Sequence, residues 1–172
     1  MNIQPIEEQE KRRLSKIEKR QEKRDRIANE ILETERKYVL YMETLYNVFM
    51  KPLEESYKSR SLLQPALLSE KDIQIIFGNL SDLINLNRTL LNELENRIGN
   101  GNWHENQLVG DVFVRMAPFF KIYKLYNFGY DNAVNRLSTC QKEVSSFQKF
   151  LQVKFLNYFE EYSNLNVKLL QI

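Results

Sequence analysis

Ile27-Ala28-Asn29-Glu30-Ile31-Leu32-Glu33-Thr34-Glu35-Arg36-Lys37-Tyr38-Val39 contains neither glycine nor proline. Its apolar residues return at steps of three and four rather than two. Ile27, Ile31, Tyr38, Met42, Leu45 and Phe49 form one stripe with Thr34 at the polar position, which is the period of an amphipathic helix and not of a half-buried strand. The stretch therefore predicts a first long helix from about Glu22 to Met50. Lys51-Pro52 should bend or end it, because proline lacks an N–H and disfavours the α conformation in the residue before it.

The same reading extends outward. Five glycines and four prolines are too few to cut the chain into strands, so helices are expected throughout. After a connector from Tyr57 to Leu68, a second helix opens at Ser69, with Asp72 three residues on as a capping-box partner. Its stripe includes Ile73, Phe77, Leu80, Leu83, Leu94 and Ile98, and Gly99-Asn100-Gly101-Asn102 ends it. A third helical region spans Leu108 to about Leu137, with kinks at Pro118 and Gly129, and a short fourth helix covers Val144 to Phe155. Ser163-Asn164 reads as the cap of one more helix, begun at Leu165. The fold class is all-α, an elongated multi-helix bundle. Ile31, Tyr38, Leu80, Leu83, Phe120 and Tyr123 are expected to be buried, and the aromatic run Phe113, Phe119, Phe120, Tyr123, Tyr126, Phe128 and Tyr130 is read as core rather than as a ligand cavity.

Composition narrows the function. The 172 residues suit one domain, and 42% hydrophobic with 28% charged residues is ordinary for a globular chain. No apolar stretch near the start could serve as a signal-peptide core, and a cytoplasmic protein is expected. Cys140 is the lone cysteine and His104 the lone histidine, so neither an internal disulfide nor a zinc site can be assembled from these types. The net charge of +2 is unevenly spread: Lys11, Arg12, Arg13, Lys16, Lys19, Arg20, Lys23, Arg24 and Arg26 crowd the start against Glu18, Glu22 and Asp25. Residues 1–23 are read as a charged helical leader. Its plain reading is a solvated extension with i, i+4 pairs, and its functional reading is a patch for acidic lipid, RNA or nuclear import. Nucleic acid is not expected, since no aromatic residue is interleaved there for stacking.

Catalytic constellations fail. Glu30, Glu33 and Glu35 are close in sequence, but consecutive helix turns rich in glutamate are usually solvated. Gly99-Asn100-Gly101 follows no strand and precedes no Gly-Lys-Ser/Thr, so it is a turn and not a phosphate loop. His104 has no nucleophile motif to serve.

Specific residues go further than periodicity. Ile27 to Val39 closely resembles the first conserved region of the Dbl-homology domains of Rho-family guanine-nucleotide exchange factors. Ile76-Phe77-Gly78-Asn79-Leu80, Val109-Gly110-Asp111-Val112-Phe113, Phe120-Lys121-Ile122-Tyr123-Lys124-Leu125-Tyr126, Asn132-Ala133 and Phe147-Gln148-Lys149-Phe150-Leu151 are similar to later parts of the family pattern, in the same order. The resemblance covers residues 24–172. In the family, Leu165 to Leu170 would lead into a long helix opening with Pro-x-Gln-Arg, the third conserved region, whereas this sequence stops at Gln171-Ile172. The expectation is thus a domain incomplete at that region, with an apolar groove left uncovered and a tendency to dimerise or aggregate.

What the resemblance implies is a non-covalent activity. The partner would be a Rho-, Rac- or Cdc42-type small GTPase, with no cofactor. The first and third conserved regions would grip its switch segments and hold the nucleotide-free state. Glu30 would hydrogen-bond to switch I, and Asn29, Glu33, Thr34 and Lys37 complete the GTPase-binding candidates. The rival reading is a non-catalytic helical module that binds a GTPase weakly, a scaffold, or an acidic membrane through its leader, recruited to a membrane or the cortical cytoskeleton.

Overall fold

The computed structural model describes residues 4–99, 103–104 and 107–169, with side chains from residue 8 to residue 158 of that range. The described residues contain helices and no strand. In chain order these are α1 (Gln4–Leu45), a π-helical turn (Tyr46–Met50), α2 (Lys51–Lys58), α3 (Glu70–Phe77), α4 (Leu80–Ile98), α5 (Gly110–Met116), a 3₁₀ turn (Ala117–Lys121), α6 (Ile122–Glu143) and α7 (Ser145–Leu169).

Local chemistry explains the boundaries. The leader is helical and joins α1 without a break, with Arg12 and Glu8 paired at 2.7 Å one turn apart. Pro52 does not end the helical path but resets it: the Lys51 N–H reaches back to the Tyr46 carbonyl in a wide turn, and Pro52 falls in the first turn of α2, where its missing N–H leaves no bond unmade. Ser69 caps α3 as its sequence predicts, its hydroxyl oxygen accepting from the Asp72 N–H at 3.1 Å.

Several expectations are corrected. The helix expected from Ser69 to Ile98 is two helices, because Gly78 adopts φ 55 and ψ −130, a conformation that a side chain disfavours. Gly129 leaves no break in α6, whereas Pro118 does fall in a distinct 3₁₀ turn. The expected fourth and fifth helices are one, α7, running through Ser163-Asn164; no glycine or proline interrupts Ser145–Leu169, and serine and asparagine only weaken a helix. Residues 170–172 and Asn100 to Asn102 lie outside the described residues.

The chain forms two units, residues 1–39 with 86–119 and residues 40–85 with 120–172. In the second unit Met42, Met50, Leu53, Leu68, Ile73, Phe77, Leu80, Leu83, Ile84, Cys140 and Phe147 form one packed core. There α3 packs on α6 and α6 on α7. Arg136 of α6 donates to Asp72 of α3 at 2.6 Å, and the Asn79 amide donates to the Ile122 carbonyl at 3.3 Å. In the first unit the buried apolar residues are Ala28, Leu32 and Val39 of α1, Leu90, Leu94 and Ile98 of α4, and Val112 and Met116 of α5.

Burial only partly follows the expected list. Leu80 and Leu83 are buried, but Ile31, Phe120 and Tyr123 are half-buried and Tyr38 is 37% exposed. The aromatic run is not core either: Phe119, Phe128 and Tyr130 are exposed, and Phe113, Phe120 and Tyr123 only half-buried. Tyr126 and Tyr130 instead line a cavity of about 130 Å³ beside Gly78 and Asn79.

Candidate functional site

Two apolar stripes run along α1, which is why periodicity alone misplaces its inner face. Ala28, Leu32 and Val39 are buried, whereas Ile27, one residue off that line, is 43% exposed. At about 100° per residue, Ile27, Ile31 and Tyr38 lie roughly a quarter-turn round from the buried line. Both stripes satisfy the helical period, and the buried one is the line that meets packing partners.

That assignment fixes where the candidate residues point. Asn29, Glu30, Glu33, Thr34 and Lys37 are all exposed. Helix geometry sets them side by side at steps of three and four, with Glu30, Thr34 and Lys37 on the face opposite Ala28 and Leu32 and Asn29 and Glu33 toward its edge. Glu33 is held: Arg36 bonds it at 2.7 Å and reaches Glu95 of α4 at 2.9 Å. These two carboxylates, through hydrogen bonds first, raise the Arg36 pKa above its ordinary value. Arg36 thereby ties the candidate face of α1 to α4 within the first unit.

Glu35 differs from Glu30 and Glu33 and departs from the solvated reading given to all three. It falls between Leu32 and Val39 on the buried line, half-buried, with Oε1 enclosed and without a hydrogen-bond partner among the described residues. Loss of water pushes its carboxyl pKa above the usual carboxylate range. The signal was available as an acidic residue in register with Ala28, Leu32 and Val39.

Charged contacts also organise the rest of the first unit. The Arg24 guanidinium stacks 3.9 Å above the Trp103 ring and donates to the His104 and Gln107 carbonyls. The Trp103 Nε1–H donates to Asp25 at 2.7 Å, which also accepts from Gln21 at 3.0 Å. This latch makes Trp103 structural and engages His104 through its backbone. Farther along, Arg97 and Arg115 share Asp111 at 2.9 Å and 2.8 Å, and Arg115 also meets Glu93 at 2.8 Å. Arg97 first, then Arg115, hold the Asp111 carboxyl down at about 2 against opposing desolvation.

Among the described residues no group of His, Cys, Asp and Glu could hold a metal ion, and no helix is long and apolar enough to cross a membrane. Cys140 is buried, and burial raises its thiol pKa. The candidate residues offer a row of exposed polar side chains along α1.

The comparisons with known proteins make the class specific. The profile of the RhoGEF domain matches residues 27–168, and the chain belongs to the RhoGEF domain family. FYVE, RhoGEF and PH domain-containing protein 4 of Mus musculus is 36% identical over 76% of this chain and 16% of its own length. Kinase and exchange factor for Rac B of Dictyostelium discoideum is 28% identical over 77% of the chain and 12% of its own length. Protein ECT2 of Mus musculus is 27% identical over 78% of the chain and 14% of its own length. The chain therefore spans less than a fifth of each of these relatives.

Proposed function

We propose that this chain is a guanine-nucleotide exchange module for a Rho-family small GTPase, and that the α1 strip of Asn29, Glu30, Glu33, Thr34 and Lys37 is part of its GTPase-binding surface. The observation that carries the reading is that this strip, inside the span matched by the RhoGEF profile, is exposed along α1 away from the buried line. Glu30 is the residue assigned to switch I. The switch segments would be engaged best in the nucleotide-free GTPase, and the chain would accelerate GDP release by preferring that state. No bond is made or broken in this activity, and no cofactor is required.

The test is release of a fluorescent GDP from Rho-, Rac- and Cdc42-type GTPases, read beside capture of the nucleotide-free and GDP-loaded forms. Acceleration and preferential capture of the nucleotide-free form are expected for the responsive GTPase. Glu30→Ala should slow release by about ten- to a hundredfold, the loss of one hydrogen bond to a charged group worth roughly 1.5 to 3 kcal/mol. The variant's melting temperature should match wild type, because Glu30 is exposed. Capture of both forms alike without accelerated release would overturn the exchange reading in favour of a scaffold.

A further inference from the structure

The N-terminal part of α1 sorts its charges in a way the linear sequence hides. At about 100° per residue, Arg12, Arg13, Lys16, Lys19, Arg20 and Lys23 fall within roughly a third of the helix circumference. Glu10, Glu18, Glu22 and Asp25 fall on a different third, with Lys11 the one cation among them. The surface agrees: Arg12, Arg13, Lys16 and Arg20 lie together on one open strip of the helix bordered by Ile17, and Arg20 and Lys23 head the groove that follows. From Arg12 to Lys23 the row is about 16 Å long at 1.5 Å per residue.

These cations are little neutralised. Arg12 pairs with Glu8 and Arg13 lies 3.9 Å from Glu10, both within the helix. Lys16, Lys19, Arg20 and Lys23 make no ion pair among the described residues. Among the described residues the hydrogen bonds and ion pairs of residues 8–20 all stay inside α1, whereas from Gln21 onward the helix is held by the latch on Asp25 and Trp103. A one-sided cationic row is thus presented beyond a fixed point.

We propose that this row docks the protein on an anionic lipid bilayer surface. The row is convex and follows the outside of a helix, which suits a plane of headgroups better than it suits a peptide needing a cleft. Clusters of this size on a helix are drawn to anionic lipid, and Ile17, half exposed at the margin, can rest at the headgroup boundary. No aromatic residue occurs between residues 8 and 26, so the base stacking that retains single-stranded nucleic acid is missing. With only Leu14 and Ile17 exposed as large apolar residues there, attachment is electrostatic and reversible rather than inserted. The proposal does not depend on the exchange reading.

The test is sedimentation of the whole chain with vesicles of phosphatidylcholine alone and with about a third phosphatidylserine, over rising salt. Binding should require phosphatidylserine and fall steeply with salt. Each cation removed should weaken it about fivefold, so Arg12→Gln, Lys16→Gln, Arg20→Gln and Lys23→Gln together should weaken it at least a hundredfold. The matched set Lys58→Gln, Lys71→Gln, Lys142→Gln and Lys149→Gln, equal in charge and exposed elsewhere, should change it less than about fivefold. Equal losses from the two sets would overturn the proposal, as would binding to both vesicles alike, or binding to RNA with none to vesicles. GDP release measured without vesicles reports the exchange activity separately.

Discussion

The two units are stabilised by different means. In the second unit large side chains from α2, α3, α4, α6 and α7 close round Leu53 and Phe147, and Asp72–Arg136 is a charged tie at the edge of an apolar core. The first unit buries Leu32, Leu90, Leu94, Ile98 and Met116 beside the smaller Ala28, Val39 and Val112, and adds cross-links among charges: Arg24 on Trp103, Arg36 on Glu95, Arg97 and Arg115 on Asp111. Packed apolar surface is indifferent to salt, whereas exposed ion pairs are screened by it. The unit with the candidate binding strip and the cationic row is therefore the one with more cross-links that salt can screen.

The strongest way to break this contrast is to empty the second core. Phe147→Ala should cost about 3 to 5 kcal/mol, measured by denaturant unfolding, and speed hydrogen exchange in every helix of that unit. A cost under about 1 kcal/mol would mean that Phe147 is not the centre of the core. Phe120, half-buried, should cost less than the full core value its aromatic character suggests.

Trp103→Ala tests the first unit's latch. Loss of the stacked Arg24 and of the bond to Asp25 should cost about 2 to 3 kcal/mol, with faster exchange confined to the amides of that unit. Faster exchange across both units would erase the distinction.

Glu35→Gln should act in the opposite direction. Because its carboxyl pKa is raised in the fold above the ordinary 4.5, the stability associated with it is full below that value and is lost as pH rises through the raised pKa. The uncharged variant escapes that loss. Its melting temperature should exceed wild type at pH 7, by about 4 °C or less, and match it near pH 4. An identical difference at both pH values would place the effect in packing instead.

The smallest effect belongs to Asp111→Asn. Its carboxyl is held at about 2, so its contribution is present above the ordinary 3.8 and is lost only as pH falls toward 2. The group is exposed, so a small fall in melting temperature at low ionic strength should vanish in about 0.5 M salt. A loss that persists in salt would show that Asp111 matters through geometry rather than charge.

The helical class, the Ser69 cap and the burial of Leu80 and Leu83 were legible in the sequence, because period, capping oxygen and strongly apolar runs are local properties. The motif around Glu30 was equally legible, and it led to the family that the comparisons show. Gly78 was a readable stop that apolar periodicity overrode, and the merging of Val144 to Phe155 with the residues beyond it was hidden by asparagines that weaken a helix without ending it. Only tertiary structure chose between the two stripes of α1, enclosed Glu35, drew Arg24 onto Trp103 and left the aromatic face of α6 exposed. The reason is physical: a helix repeat specifies which residues share a face, but which face loses its water depends on segments distant in sequence that pack against it.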